Sequence, residues 1–129
     1  MSDVGGGAAQ EAIYQALKTG LAPTKVYDHV PQDTSFPYVS IDAQDIVPRD
    51  HLASTMEERF VYLSIWSRHR GKKEVWQLIA SIYDIVHRQR FAMDAGQMAI
   101  CHVTRLGANN DLDGLTYIGT MTLKLITTP

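Results

Sequence analysis

Apolar residues recur along the chain with two different periods, and the alternation between them predicts its elements. In "AAQEAIYQALK", Ala8 to Lys18, residues Ala9, Ile13 and Leu17, flanked by Ala12 and Ala16, share one face of a 3.6-residue period, and Gly20 follows as a stop. A first amphipathic helix is expected there. "KVYDHV", Lys25 to Val30, reads as a short extended piece, followed by a loop bracketed by Pro31 and Pro37. From Tyr38 to about Gln44 the period drops to two, with Val39, Ile41 and Ala43 expected to point one way. The polar segment from Asp45 to Met56 reads as a loop long enough to reach a neighbour. In "EERFVYLSIWS", Val61, Leu63 and Ile65 alternate with Phe60, Tyr62, Ser64 and Trp66, which predicts a strand.

The helical period returns after Gly71. Val75, Ile79, Ile82 and Val86, broadened by Leu78 and Ile85, predict a second helix running to about Arg90. "MAICHVTRL", Met98 to Leu106, is strand-like, although neither alternate set is cleanly apolar. "GANNDLDG" is rich in turn residues. The last strand places Leu115, Tyr117, Met121, Leu123 and Leu125 on one face, and Thr116, Thr120, Thr122 and Lys124 on the other. The expected class is therefore α+β: an antiparallel sheet of four to five strands with two helices packed on one face. Its other face would carry Phe60, Tyr62, Trp66 and a row of threonines, a contiguous set that suggests cover either by another protein or by a loop of the chain.

Length and composition keep this picture to one domain, 1–129, with residues 1–7 as a flexible glycine-rich lead-in. No apolar run approaches the roughly 18–20 residues of a membrane span, and the N-terminus has no signal-peptide core. A soluble protein made in the cytoplasm is expected. Cys101 is the only cysteine, so no internal disulfide forms.

The search for chemistry finds little. Five histidines, His29, His51, His69, His87 and His102, stand singly, without the spacing of a metal site. "NNDLDG" imitates the start of a calcium loop, but its twelfth position is Thr120 in place of a bidentate glutamate. "GKK" at 71–73 lacks both the earlier glycine of a P-loop, where Trp66 stands, and the Ser or Thr after the lysine, where Lys73 stands. No nucleophile signature occurs, so neither an enzyme nor a cofactor or metal site is expected.

One stretch stays conspicuous. "WSRHRGKKEVW" gathers Arg68, His69, Arg70, Lys72 and Lys73 around Gly71, in a chain of formal net charge -2. The overall balance argues against a dedicated nucleic-acid binder. Lys72 and Lys73 sit where a helix dipole is positive and would cost a few tenths of a kcal/mol. The open explanations are a tolerated solvated corner and an anionic partner.

Taken together, "VYDHVPQDTSFPYVSI", the strand-to-helix corner "WSRHRGKKEVWQLIASIYDIVHR" and the late "DLDGLTYIGTMTLKLIT" resemble the tail-completion proteins of long-tailed bacteriophages and gene transfer agents, also described as tail terminators or tail-to-head joining proteins. The resemblance covers about Ala8 to Thr127. It implies a structural, non-enzymatic protein without cofactor, forming a ring, usually a hexamer, at the head-proximal end of the tail tube. Its implied partners are itself, the major tail tube protein and the head-tail connector, with DNA passing through the lumen unread. The protein would be made in a bacterial cytoplasm and assembled into a phage or phage-like particle.

Two other readings stay open: a neck or head-completion connector of the same particle, and a small nucleic-acid-binding module using the corner at 68–73. On the ring reading, the expected interface residues are Phe60, Tyr62, Trp66, Arg68, Arg70, Lys72, Lys73, Pro48, Arg49, Asp111 and Asp113. A head-to-tail ring needs two complementary patches on one chain, so the basic corner is expected to face acids such as Asp42, Asp45, Asp111 and Asp113 on the next subunit, or acids on the tube protein.

Overall fold

The computed structural model describes residues 8–51, 54–92, 98–111 and 113–128; for residues 8, 48–51, 54–57, 127 and 128 it describes the backbone alone. The lead-in at 1–7 lies outside the described residues. Two helices, α1 (Ala8–Gly20) and α2 (Lys73–Val86), accompany six strands: β1 (Lys25–Tyr27), β2 (Tyr38–His51), β3 (Ser54–Ser67), β4 (Arg90–Ala92), β5 (Met98–Asn110) and β6 (Tyr117–Thr128). One sheet contains them all, in the order β1-β2-β3-β6-β5-β4. Every neighbouring pair is antiparallel except β1 with β2, which is parallel.

The class is α+β, as expected, but the strand count is six, with one parallel pair. β1 is the start of the extended piece expected at Lys25 to Val30, and β4, which had no counterpart among the expected elements, is likewise a three-residue edge piece. A segment as short as β4 carries too few alternations to register as a period.

The core lies between the helices and one sheet face. Val39, Ile41, Val61, Leu63, Ile65, Met121, Leu123 and Leu125 from the strands meet Ile13 and Leu17 of α1 and Val75, Ile79, Ile82 and Val86 of α2, all buried. Each such side chain contributes about 1.5–3 kcal/mol by leaving water. Gly119 sets the approach of α2, because a Cβ there would sit 2.6 Å from Val75 Cγ1 and 3.2 Å from Ile79 Cδ1. α2 packs over β3, β6 and β5, while α1 touches α2 and both edge strands, β1 and β4. The sheet therefore curls around the helix pair.

Three local expectations change. The polar segment 45–56 is the arm of the β2–β3 hairpin, paired from Asp45↔Phe60 out to His51↔Ser54. Its polarity belongs to a ladder whose backbone is paired across the hairpin, which composition cannot tell from a loop. β2 also carries a bulge between Ile41 and Ala43. The extra residue flips the facing beyond it, so Ala43 is exposed and Gln44 turns to the core side, where its Oε1 is buried without a hydrogen bond. A second bulge, between Val103 and Arg105, explains the mixed pattern of β5: Ala99 and Cys101 are buried before it, and the facing changes afterwards.

The second helix is shorter than its apolar stripe suggested. Gly71 adopts a φ of +82°, and the helix begins only at Lys73. It ends at Val86 because His87 is extended and Arg88 takes a positive φ of 61°. Arg88 N–H then donates to Cys101 C=O at 2.7 Å, and Cys101 N–H to Gln89 C=O at 2.9 Å, carrying the chain into β4. At the other end of the sheet, Leu115 precedes β6 in a turn and is 66% exposed, whereas Thr116 is buried. The facing expected of these two residues is thereby reversed.

Candidate functional site

The sheet face away from the helices is built from the residues that alternate with the core. β3 contributes Phe60, Tyr62, Ser64 and Trp66, and the β3–β6 register sets them against Lys124, Thr122, Thr120 and Ile118. Phe60, Tyr62 and Trp66 are half-buried and share this face, as the alternation required. Tyr38, opposite Trp66 on β2, stacks on it with ring centroids 6.0 Å apart and planes 17° off parallel. Tyr27 and Phe36 meet Tyr38 at 6.0 and 5.2 Å. Burial is the main cause that raises the Tyr38 phenol above its ordinary pKa.

A hydrogen-bonded chain runs across the strands beneath this stack. Trp66 Nε1–H donates to Ser40 Oγ at 3.0 Å, and Ser40 donates to Asp42 Oδ1 at 2.8 Å. Ser64 donates to the other oxygen, Asp42 Oδ2. The β2 bulge is what brings Asp42 over both serines, since it is the extra residue in the ladder. Farther along, Tyr62 donates to Asp45 Oδ2 at 3.0 Å, and that bond is the first cause holding the Tyr62 phenol above its usual range. Lys124 lies 3.7 Å from Glu58. Ser40 and Ser64 carry no motif; their only sequence signal is a small polar residue at an outward position on two otherwise apolar strands.

The basic corner begins where β3 ends. Ser67 is buried; its hydroxyl donates to Glu74 Oε1 at 2.6 Å and accepts His69 N–H at 3.1 Å. That clasp fixes the turn and holds the one acid of the first helical turn at the positive end of α2. Lys72, at the N-cap, makes no side-chain capping bond.

Arg68 folds back from the corner. Its guanidinium lies 4.4 Å over the Phe36 ring, its Nε donates to Thr116 Oγ1 at 3.3 Å, and one Nη stands 4.0 Å from Asp113 Oδ2. Asp113 organises the β5–β6 turn, accepting from the N–H groups of Leu115 and Thr116, both at 2.8 Å, and from the Thr116 hydroxyl at 2.7 Å. The bonds from Thr116, then the one from Leu115, hold the Asp113 carboxyl below its ordinary pKa.

The expected interface residues thus divide. Arg68 and Asp113 meet within one chain. Arg70, Lys72 and Lys73 are exposed and have no carboxylate within ion-pair distance among the described residues. Asp111 is half-buried at the head of the turn. The side chains of Pro48 and Arg49 lie outside the described residues, although both backbones belong to β2.

Two shallow hollows flank this region: one of about 320 Å³ beside Phe36, Tyr38 and Arg68, and one of about 360 Å³ between α2 and β5, lined by Trp76, Ile79, Ala80, Tyr83, Asp84 and Leu106. Among the described residues no group of three or more His, Cys, Asp or Glu could hold a metal ion, and no helix is long and apolar enough to cross a membrane. Cys101 is buried, and burial pushes its thiol up to about 12.

The family profile described as "Tail completion protein gp17" matches residues 11–128. The chain belongs to that family. A search of curated proteins finds no match. Among solved structures, a chain of "Virion of native gene transfer agent (GTA) particle" is similar to this tail-completion chain at a TM-score of 0.81 and 15% identity, covering 95% of this chain and 96% of that one. At that identity the likeness is one of fold. It extends over the whole helix-on-sheet unit, so the outer face, the corner and the hairpin arm are parts of one shared architecture.

Proposed function

We propose that the protein forms a ring, probed first as a hexamer, at the head-proximal end of a phage-like tail tube, where it ends tube polymerisation and joins the tail to the head connector. The observation that carries this reading is family membership across nearly the whole chain, supported by the fold likeness to a chain of a gene transfer agent virion. The surface fits a protein that works by contact. Its outer face is aromatic and finished with hydrogen bonds between its own side chains, and its cationic corner points outward.

On this reading the protein performs no catalysis and takes no cofactor. It is made in a bacterial cytoplasm and ends in the particle. Its partners are further copies of itself, the major tail tube protein and the connector, and DNA passes through the ring without being read. Arg70, Lys72 and Lys73 meet acidic groups of one of these proteins.

Size-exclusion chromatography with light scattering, together with negative-stain imaging, is expected to show rings, either free or formed on tail tubes. Deleting the gene is expected to leave tails of abnormal length, or tails unattached to heads. Normal tails on normal particles in its absence would overturn the proposal.

A further inference from the structure

The sheet is left open at both ends over complementary stretches. On one side β1 pairs only with Tyr38–Ser40, so β2 has no outer neighbour from Asp42 onward among the described residues. On the other, β4 pairs only with Met98–Ile100. Gln89 and Arg88 then bond Cys101, and His87 Nδ1 accepts Val103 N–H at 3.1 Å. From Arg105 to Asn110 the outer edge of β5 makes no backbone hydrogen bond among the described residues. Exposed edges of this kind are templates for another strand.

The β5 edge also has a receiving wall. The hollow between α2 and β5 lies on the core side of Leu106, and three of its lining side chains, Trp76, Tyr83 and Leu106, are large, apolar and exposed at 45%, 37% and 41%. An open strand edge beside an apolar groove under a helix is the geometry of strand addition, where the backbone supplies bonds and the groove selects side chains.

We propose that this edge takes β2 of a second copy, so that the sheet continues from each subunit into the next. The proposal rests on the ring reading above and names its joint. Three features of the chain select a second copy as occupant. The first is direction. β2/β3, β3/β6 and β6/β5 are all antiparallel, so β2 and β5 run oppositely, and copies related by rotation about an axis along the strands meet as an antiparallel pair.

The second is register. Asp111 N–H bonds Thr116 C=O across the turn, so by alternation Leu106, Ala108 and Asn110 turn their backbone groups away from β6. Pro48 has no N–H to give to the ladder and so faces the open edge, and by alternation Gln44 and Ile46 also turn their backbone groups away from β3. Setting Ile46 opposite Leu106 and Gln44 opposite Ala108 matches bonded positions, keeps core-side residues on the core side and brings Ile46 to the mouth of the groove.

That register also clears the short edge strands. Within one chain Ala43 lies level with Arg105, through Tyr62 and Thr122; in the joint Ala43 faces Asn109, a shift of four residues. The shift is ~13 Å at ~3.3 Å per residue. Against four strands at ~4.8 Å it corresponds to a strand tilt of about 35°, within the range of closed barrels. β1 of the incoming copy then lies beyond Asn110, and β4 lies past the paired stretch.

The third is charge. On the outer face the described β2 edge carries Asp42 and Asp45, and the free β5 edge carries Arg105. The register sets Asp45 diagonal to Arg105, within reach of a long side chain.

The test uses the full-length protein with Val47→Cys and Arg105→Cys combined. These two face each other across the proposed joint as a non-bonded pair, with Cα atoms about 4.5 Å apart, within reach of a disulfide. Within one chain β3 and β6 keep them at least about 14 Å apart. The buried Cys101 thiol does not compete.

Oxidation of assembled rings is expected to give a ladder of covalent multimers up to the full ring, and neither single variant gives one. A second variant, Ala108→Pro, removes one outward N–H from an edge position that tolerates proline. It is expected to stay folded by circular dichroism and to lose ring formation at least tenfold. Rings that form without the ladder would overturn the joint while leaving the ring reading intact. Linkage to a different particle protein would overturn the choice of a second copy. Absence of any ring, free or on tubes, would overturn both proposals.

Discussion

The two faces of one sheet are finished in opposite ways. On the inner face Val61, Leu63, Ile65, Met121, Leu123 and Leu125 are closed by the chain's own helices. On the outer face no helix packs over the strands among the described residues, and order comes from side chains bonded to each other: Trp66 to Ser40, then Ser40 and Ser64 to Asp42. The inner face is a folding surface; the outer face is ordered by its own hydrogen bonds and, on the proposed reading, meets a partner. Their stability should therefore respond to different chemistry.

The largest effect is expected inside. Ile82→Ala removes a fully buried side chain of α2 and should cost about 2–5 kcal/mol in chemical denaturation. A loss below 1 kcal/mol would mean that α2 is not the lid of this core. On the outer face, Asp42→Ala leaves the buried Ser40 and Ser64 hydroxyls without their acceptor and should cost less, about 1–2 kcal/mol, because Asp42 itself is exposed and water can enter the space its carboxylate leaves. If it cost as much as Ile82→Ala, the distinction between the faces would fail.

At the corner, Lys72→Glu with Lys73→Glu should leave stability unchanged or raise it by a few tenths of a kcal/mol, since acids suit the positive end of α2. The same variant should lose assembly, measured by light scattering. Intact assembly would return the corner to a solvated surface. The smallest effect concerns pH. The Asp113 carboxyl is held below its ordinary range in the fold, so its contribution to the β5–β6 turn is fully present above the usual carboxylate pKa, near 4, and is lost as pH falls through the lower folded value. Amide resonances of Leu115 and Thr116 should follow that titration, and Asp113→Asn should abolish it.

The elements legible in the sequence were those with several turns of one period. The stripe Val75, Ile79, Ile82, Val86 and the alternation Val61, Leu63, Ile65 both describe what is buried. What escaped was each place where one residue breaks a period. The bulges at Asp42 and Thr104 invert the facing of everything beyond them, which moved Ala43 outward and scrambled β5. Backbone bonds were equally invisible: the end of α2 at Val86 is set by the reach of Arg88 and Gln89 to Cys101. At the site, alternation grouped Phe60, Tyr62 and Trp66 correctly. It offered no means of joining Arg68 to Asp113, forty-five positions apart, and these meet only because β3 and the β5–β6 turn end at the same edge of the fold.

α1 touches both β1 and β4, which lie at opposite ends of the strand order. Each of those strands has only three residues and one strand partner, too little to persist alone. The helix acts as a single clasp for both, so the margins of the sheet share one opening event. Backbone amides of Val26 and Phe91 should exchange with deuterium at a common rate, and a helix-breaking change such as Ala16→Pro should accelerate the two together.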